Sequence, residues 1–394
     1  MKTQLSWLKV LPVVAVVVLF AVTMASAAAV PGASTGHPSS STATFALSHQ
    51  IPVPNGPQAL ASGNKACPIT TQCTYVADKI GGVQVFSGNN LIASVSVVLT
   101  PSDPSTCPEF AYAWFGSILV SDACGDNGAG ELRVLNPATN VWGTPITVAG
   151  GGPLAMVGDT SNGDLYVTNF GYGTVTVLSS ATTVAGTVAT CGSYPGMLDY
   201  DSASKIVFVG NEGFISAACI DMIKGTTAGS PIVSAGTYTL TVSDAISGVT
   251  VNQHTGNVYI TDPNYNAYAG GVFEYGKRGA YKATIAPPSI SDGLSGSTYD
   301  ASSQSVYVVS DAHYTLGFYN ATGFVFNISG SNAVSGAHFV GLGPNADCYN
   351  PASLSVYVPN TSNVLGSGVT VFKGATIHNI SIYGPVEGYG CGAN

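Results

Sequence analysis

A short apolar segment, centred on Tyr-Val and ending in Asp or Asn, recurs along the chain and is its most regular pattern. The central residues of its seven copies are Tyr75, Leu119, Tyr166, Phe208, Tyr259, Tyr307 and Tyr357. Successive copies are about 47 residues apart on average, which is a period at which propeller blades repeat. The pattern therefore predicts several copies of one supersecondary unit rather than several unrelated domains.

Each Tyr-Val segment stands inside a larger unit that has the pattern of four short strands. In the third copy, an apolar segment at 152–157 comes before the turn residues 159–163, and an alternating segment at 173–177 follows. A fourth segment at 185–189 contains Val, Thr and Ala. Short alternating and β-branched segments, separated by Gly- and Asp-bearing turns, are typical of antiparallel strands. The sequence predicts an all-β protein, a seven-bladed β-propeller of four-stranded antiparallel blades.

The hydrophobic pattern also predicts where the Tyr-Val strand lies in each blade. This segment is apolar at nearly every position, whereas the later segments of the same unit alternate. A strand that is covered on both faces loses the alternation. We therefore expect the Tyr-Val strand in the inner half of each blade, packed between neighbouring blades.

The third copy carries a resemblance to a known repeat. Its segment 165–169, Leu-Tyr-Val-Thr-Asn, with 173–177 and the later Gly-Ser-Tyr-Pro at 192–195, resembles the YVTN-type β-propeller repeat of archaeal and bacterial surface proteins. The resemblance extends over about residues 50–385. It is weaker in the second copy, which has Leu119 in place of Tyr, and in the sixth, where the acidic residue comes one place later. The family implies a seven-bladed propeller that is secreted or on the cell surface, and it implies no single reaction.

The N-terminal residues have the features of an export signal. Lys2 and Lys9 come before an apolar run at 10–22, and Ala-Ser-Ala follows. This arrangement is typical of a secretory signal peptide, although an uncleaved membrane anchor is the alternative because 10–29 is long enough to span a bilayer. Membrane contact is expected only through such an uncleaved segment. The expected domains are a signal peptide or anchor at 1–29, a Ser/Thr/Pro-rich linker at 30–50 and the propeller at 51–394.

Charged residues are sparse, and acidic residues outnumber basic ones. Asp, Glu, Lys and Arg make up 8% of the chain, and the formal net charge is −9. Nucleic-acid binders neutralise phosphates with clustered Lys and Arg, and the sequence has no such cluster. We therefore expect no nucleic-acid partner.

The cysteines predict disulfides rather than a zinc site. There are eight of them behind the export signal, and the sequence contains no C-x2-C pair. In a blade, the start of the first strand and the end of the second lie side by side, and cysteines of one loop or one unit are near each other. The expected pairs are Cys107–Cys124, Cys67–Cys73, Cys191–Cys219 and, by elimination, Cys348–Cys391.

The Asp or Asn that ends each Tyr-Val strand would form a ring on one face of the propeller. Such a ring could bind a cation or a polar ligand. Alternatively, each side chain only caps its own turn, which a repeat would produce in every copy whether or not a ligand binds. The ring residues are Asp78, Asp122, Asn169, Asn211, Asp262, Asp311 and Asn360.

Tyrosines in the loops of the same face are the best candidates for ligand contacts. The chain has 20 Tyr against 14 Phe, and many lie outside the repeat pattern. Tyrosine combines a large contact area with a polar tip, which suits binding surfaces, although it could also only replace charge on a weakly charged surface. The candidate ligand-binding residues are Tyr172, Tyr265, Tyr268, Asp311 and His313.

Motifs of catalysis are not found in the sequence. It contains no G-x-S-x-G elbow, no H-E-x-x-H and no phosphate loop, so we expect no catalytic residues, metal ligands or cofactor. The leading hypothesis is a secreted or cell-surface, non-catalytic binding module for a glycan, protein or surface partner. The alternatives are a metal-dependent propeller enzyme of the lactonase or lyase type and a structural component of a surface layer. Four sequons predict glycosylation at Asn320, Asn327, Asn360 and Asn379.

Overall fold

Strands are the only regular elements in the described part of the chain, as the alternating segments predict. The computed structural model describes residues 49–50, 57–63, 73–78, 82–87, 90–97, 107–124, 130–148, 151–212, 218–225, 233–239, 245–263, 270–288, 293–310, 322–342, 348–350, 355–360, 368–373, 376–381 and 391–392.

The strands are numbered in chain order. The early ones are β1 (His49–Gln50), β2 (Pro57–Gly63), β3 (Cys73–Asp78), β4 (Gly82–Ser87), β5 (Asn90–Ser96), β6 (Pro108–Trp114), β7 (Ser117–Asp122), β8 (Glu131–Asn136), β9 (Val141–Trp142) and β10 (Ile146–Thr147). The central ones are β11 (Pro153–Gly158), β12 (Leu165–Asn169), β13 (Thr174–Ser180), β14 (Thr183–Ala189), β15 (Pro195–Asp201), β16 (Ile206–Asn211), β17 (Cys219–Lys224), β18 (Val233–Thr239), β19 (Gly248–Asn252), β20 (Asn257–Asp262), β21 (Gly271–Tyr275) and β22 (Tyr281–Ile285). The later ones are β23 (Leu294–Asp300), β24 (Ser305–Ser310), β25 (Thr322–Ile328), β26 (Val334–Leu342), β27 (Cys348–Asn350), β28 (Ser355–Asn360), β29 (Gly368–Lys373), β30 (Thr376–Ser381) and β31 (Cys391–Gly392).

These strands form antiparallel sheets in which chain neighbours are also sheet neighbours. Five sheets are four-stranded, with the orders β2-β3-β4-β5, β11-β12-β13-β14, β15-β16-β17-β18, β19-β20-β21-β22 and β23-β24-β25-β26. The two larger sheets are built around β6-β7-β8 and β27-β28-β29-β30. Every Tyr-Val segment is the second strand of its unit. The all-β class and the repeated four-stranded antiparallel sheet are confirmed.

Burial changes across each sheet in the way that the hydrophobic pattern predicts. All residues of β11 and β12 are buried, whereas β14 is mainly exposed. Tyr166 of β12 lies opposite Val157 on one side and Val177 on the other, so apolar side chains are aligned on one face. The Tyr-Val strand therefore lies in the inner half of the sheet, as expected.

Successive sheets pack against one another through their first two strands. The first strands are in contact in chain order, β2 with β6, β6 with β11, β11 with β15, β15 with β19, β19 with β23 and β23 with β27. Tyr75, Tyr166 and Tyr259, from the Tyr-Val segments, are at most 1% exposed. Full burial of a large apolar side chain contributes about 1.5–3 kcal/mol, so these rings are a main source of cohesion.

Polar side chains also connect the first two strands of one sheet with the first strand of the next. The Ser121 hydroxyl donates to the carbonyl of Leu154 at 2.7 Å, and the Tyr112 hydroxyl accepts from the backbone N–H of Gly158 at 2.9 Å. These bonds satisfy buried groups that would otherwise be unpaired, and they fix how far one sheet is shifted relative to the next.

Two short strands pair in parallel with strands of distant sequence position. β1 pairs with β30, with His49 opposite Ile380, and so extends the last sheet with residues from the predicted linker. β31 pairs with β6, the first strand of the second sheet, with Cys391 opposite Ala111. β31 also contacts β2, β11 and β27, and therefore lies among the first strands of four sheets.

Two of the expected disulfides are present. Cys107–Cys124 and Cys191–Cys219 are bonded, with Cα atoms 5.1 Å and 6.4 Å apart. Cys73 is also disulfide-bonded, but its expected partner Cys67 lies outside the described residues. The pairing of Cys348 with Cys391 stays a prediction, because nothing is described of these two side chains. The expected signal peptide at 1–29 also lies outside the described residues.

Candidate functional site

The sheets have two distinct edges. We call the edge where second strands end and third strands begin the loop face, and the opposite edge, where first strands turn into second strands, the turn face. The predicted ligand-binding residues belong to segments that follow second strands. Of these, Tyr172 is described, whereas Tyr265, Tyr268, Asp311 and His313 lie outside the described residues.

Tyr172 is presented to solvent by a tight turn between β12 and β13. Its side chain is 57% exposed, and its backbone N–H donates to the carbonyl of Asn169 at 3.2 Å. Gly171 and Gly173 on either side have φ angles of +82° and +63°, a region that favours glycine. The two glycines therefore allow the chain to reverse at once and leave the tyrosine ring at the tip.

An aromatic contact beside Tyr172 spans two sheets. The rings of Phe170 and Tyr194 have centroids 5.3 Å apart and are tilted by 54°. Phe170 directly follows β12, and Tyr194 directly precedes β15 of the next sheet. Tilted aromatic pairs at this distance are favourable by about 0.5–1.5 kcal/mol beyond burial. The contact therefore fixes the two rings relative to each other at the boundary between the sheets.

Gly152 packs against the turn that carries Phe170 and Tyr172. Its carbonyl accepts the backbone N–H of Phe170 at 2.8 Å. A methyl group placed on Gly152 would lie 2.5 Å from the carbonyl oxygen of Phe170 and 3.7 Å from Cδ2 of Tyr172, and the φ angle is +56°. Glycine at this position thus lets the turn that carries both aromatic residues approach the start of β11.

Glu212 occupies the position in the fourth sheet that Phe170 occupies in the third. Its backbone N–H donates to the carbonyl of Tyr194 at 2.9 Å. Its carboxylate lies over Gly196, because a methyl group placed there would be 3.4 Å from Oε1 of Glu212. The side chain is partly buried, and this desolvation raises the pKa of Glu212 to about 7. We call Phe170, Tyr172, Tyr194 and Glu212 the aromatic–acid patch.

The ring residues whose side chains are described, Asp122, Asn169, Asn211 and Asp262, are fully buried in the sheets. Asn169 is fully buried and donates through Nδ2 to Oγ1 of Thr174 and Thr176, at 2.9 Å and 2.8 Å. Asp122 is also fully buried and accepts from the backbone N–H groups of Cys107 and Cys124. For these two residues the contacts support the interpretation in which the side chain stabilises the backbone and neighbouring side chains around its own turn.

In the sixth unit the ring position is held by a different residue from the one predicted. Ser310 lies opposite Leu294, as Asn169 lies opposite Pro153, and its hydroxyl donates to the carbonyl of Gly293 at 3.0 Å. Asp311 therefore follows the ring position, because the pairing register is set by the strands and not by the acidic residue.

One predicted sequon has a described side chain. Asn327 is in β25 and accepts a hydrogen bond from the hydroxyl of Ser335 at 3.0 Å. Asn360 and Asn379 are in β28 and β30, and Asn320 lies outside the described residues. Glycosylation of these residues stays a prediction.

The described part of the chain has neither a cluster of metal-ligating side chains nor a membrane-spanning helix. There, no three His, Cys, Asp or Glu side chains are grouped so that they could hold a metal ion. None of the described elements is a long apolar helix of the kind that crosses a bilayer.

Sequence reasoning missed Glu212 as a member of the patch. The repeat contains the signal that could have found it, since Glu212 directly follows the Asn that ends the fourth Tyr-Val strand. The contact of Phe170 with Tyr194 has no such signal, because it depends on how two sheets are placed.

Comparisons with known proteins identify the fold and no family. No family model matches the sequence, and no curated protein is similar to it. The structure is similar to 1117 solved chains. One is from the crystal structure of a mitotic checkpoint complex, with 12% identity and a TM-score of 0.59, over 86% of this chain and 96% of that one. Another is from Kuenenia stuttgartiensis hydrazine synthase, with 13% identity and a TM-score of 0.62, over 84% and 99%.

At this level of identity the similarity shows the fold alone, which is a β-propeller. Propellers carry out many unrelated functions, and function depends on the site rather than on the fold. The resemblance to the YVTN-type repeat stays a prediction.

Proposed function

We propose that the protein is a secreted or cell-surface, seven-bladed β-propeller that acts as a non-catalytic binding module. Its partner is a glycan, a protein or another surface component, and it binds on the loop face. The observation that carries this proposal is the aromatic–acid patch, in which an exposed tyrosine stands beside a fixed aromatic pair.

Closure of the propeller is supported by contacts between the first and last units. β2 of the first sheet contacts β28 of the last, and β1 extends the last sheet through its pairing with β30. Strands from early residues that complete the last sheet tie the two ends of a ring together. We propose on this basis that the described sheets are the seven blades predicted from the repeat.

Export is supported by the disulfides together with the N-terminal sequence. Disulfides such as Cys107–Cys124 and Cys191–Cys219 persist in oxidising compartments and are rare in the cytosol. The predicted signal peptide at 1–29 leads to the same location.

The location of the patch suits contact with a partner. Exposed aromatic side chains are enriched at binding surfaces, because a rigid ring gives much contact area for little loss of conformational entropy. Tyr172 is one of four large hydrophobic side chains that are strongly exposed in the described part. Of the two similar structures, one is a protein complex and the other an enzyme, so the site and not the fold supports binding.

The test compares two exposed tyrosines on opposite edges. Tyr172 is 57% exposed on the loop face, and Tyr281, at the start of β22, is 55% exposed on the turn face. The wild-type protein, Tyr172→Ala and Tyr281→Ala are applied to a printed glycan array and to isolated cell envelopes. We expect Tyr172→Ala to lose binding by at least about tenfold, since an aromatic anchor contributes more than about 1 kcal/mol, and Tyr281→Ala to bind normally. Equal binding by all three proteins would exclude the loop face.

A further inference from the structure

Basic residues are distributed unequally between the two edges. Five basic residues whose side chains are described lie on the turn face, where they are exposed in turns or at strand ends. They are Lys205, Lys224, Lys277, Arg278 and Lys282. Acidic residues such as Asp164 and Asp201 are found on this edge as well, so the charges there partly compensate each other.

The loop face differs from the turn face in its balance of basic and acidic side chains. Arg133, near the start of β8, is the basic residue described on this edge, and its side chain is 9% exposed. Its Nε lies 2.6 Å from Oδ2 of Asp122, and its Nη2 lies 3.0 Å from Oε1 of Glu131. Two buried carboxylates therefore take up its single positive charge. Glu212, another acidic residue of the loop face, forms no ion pair with it.

Glu212 is the acidic residue of this face whose backbone N–H bonds to the carbonyl of Tyr194, one member of the aromatic pair. None of the described Lys or Arg side chains forms an ion pair with it. The segment that follows it, 213–217, reads Gly-Phe-Ile-Ser-Ala and contains no basic residue. Its carboxylate is partly withdrawn from water over Gly196, which raises the pKa of Glu212. A carboxylate without a counter-ion in such surroundings gains most from a positive charge supplied by a partner.

The aromatic rings nearby favour the same kind of group. The face of an aromatic ring attracts Lys ammonium and Arg guanidinium groups, and it does so more strongly when water is excluded. The carbonyl of Tyr194 accepts from the backbone N–H of Glu212, the ring of Tyr194 contacts that of Phe170, and Tyr172 is exposed on the same face. A guanidinium or ammonium group could therefore meet a carboxylate and an aromatic ring at once.

We infer that the aromatic–acid patch receives a Lys or Arg side chain of a protein partner, so that the ligand of the loop face is a cationic polypeptide segment. This inference rests on the proposed binding function and specifies the class of its partner. The overall charge of −9 favours the approach of such a partner over longer distances.

The first experiment uses two probes that differ only in charge. One is an acetylated pentapeptide amide with two arginines between glycines, and the other has citrulline in place of both arginines. Binding to the full-length protein is measured by calorimetry at low salt, where charge interactions are least screened. We expect the arginine peptide to bind at least about tenfold more tightly, since two side chains each add an ion pair or cation–π contact. Equal affinity for both peptides would overturn the inference.

The second experiment identifies the carboxylate. Glu212→Gln keeps the shape of the side chain and removes its charge, and Asp164→Asn does the same for a partly buried acidic residue of the turn face. We expect Glu212→Gln to abolish the preference for arginine and Asp164→Asn to keep it. Affinity of the wild-type protein should also rise between about pH 6 and about pH 8, as the Glu212 carboxyl ionises, and this rise should be absent in Glu212→Gln. Retained preference in Glu212→Gln would contradict the inference.

The two proposals fail in different ways. If neutral glycans bind and Tyr172→Ala loses them while Glu212→Gln does not, the loop face is a binding site but its ligand is not cationic. If Tyr172→Ala binds every probe and surface as the wild-type protein does, the proposed function itself is wrong.

Discussion

Asp199 and Val251 join the first strands of two neighbouring sheets. Oδ2 of Asp199, in β15, accepts the backbone N–H of Val251, in β19, at 2.7 Å, and Oδ1 accepts the N–H of Tyr200 at 2.8 Å. Desolvation raises the pKa of Asp199 to about 7, the two backbone hydrogen bonds lower it in part, and the nearby charge of Asp201 adds to the rise. A single carboxyl thus makes the contact between two sheets sensitive to pH.

We predict that stability falls with rising pH through this group. The unfolded chain releases the Asp199 proton near pH 4, at the ordinary pKa of about 3.9, whereas the folded protein holds it up to about pH 7. Since the folded state binds the extra proton in this window, the free energy of unfolding decreases as pH rises through it and levels off above it. Asp199→Asn should therefore gain stability relative to the wild-type protein between these limits, as measured by urea unfolding.

The control for this experiment is Gln253, which directly follows β19 and bonds to β15 without an ionisable group. Its Nε2 donates to the carbonyl of Tyr200. Gln253→Ala should differ from the wild-type protein by an amount that does not depend on pH. If the free energy of unfolding of Asp199→Asn also differs from that of the wild-type protein by the same amount at every pH, Asp199 does not titrate in the expected range.

We predict a large effect for the buried ion-pair cluster of Arg133 with Asp122 and Glu131. Arg133→Met would leave the carboxylates of Asp122 and Glu131 without their cation, which typically costs about 3–5 kcal/mol. Lys282 gives the matched comparison, because its ammonium group lies 3.7 Å from Oε1 of Glu274 and its side chain is 45% exposed. Lys282→Met should cost less than about 1 kcal/mol, since solvent screens such a pair. If urea unfolding shows similar losses in the free energy of unfolding for the two variants, burial does not determine how much each ion pair contributes.

We predict that loss of the Cys107–Cys124 disulfide lowers the free energy of unfolding by about 3 kcal/mol. The bond restricts the unfolded chain, and this is the size of the effect for a loop closed over a sequence separation of 17. The variant is the double replacement of both cysteines by serine. Cys191–Cys219, with a sequence separation of 28 against 17, should contribute slightly more. Unfolding is measured under non-reducing conditions, and midpoints equal to that of the wild-type protein would refute the prediction.

We predict that two glycines with positive φ respond differently to alanine. Gly163, at φ +85°, has nothing within 4 Å of the position of a new methyl group, so Gly163→Ala should cost only the backbone strain of about 1–2 kcal/mol. Gly152, at φ +56°, would place the methyl group 2.5 Å from the carbonyl oxygen of Phe170. Gly152→Ala should therefore cost more and also displace Tyr172, which weakens binding on the loop face.

The measurement combines unfolding midpoints with peptide binding. Gly163→Ala serves as the control, because it lies in the turn between β11 and β12 on the turn face. If Gly152→Ala binds the arginine peptide as tightly as Gly163→Ala, the support of Tyr172 by Gly152 is not needed for the site.

The sequence by itself determined the strands, their antiparallel order and two disulfides. Strand formation follows from local periodicity, and each Tyr-Val segment has the same neighbours in its own unit, so its position as second strand could be predicted. Cys107–Cys124 and Cys191–Cys219 could be predicted for the same reason, since both partners belong to one unit.

Only the tertiary structure decided which residues of different units meet. Phe170 contacts Tyr194, Asp199 bonds to Val251, and β31 pairs with β6, and none of these contacts follows from a pattern within one unit. Each depends on the shift between sheets and on local irregularities such as the register change between Pro195 and Leu198. The physical reason is that hydrogen bonds within a unit fix its own register, whereas the offset between sheets is set by the packing of side chains from distant parts of the chain.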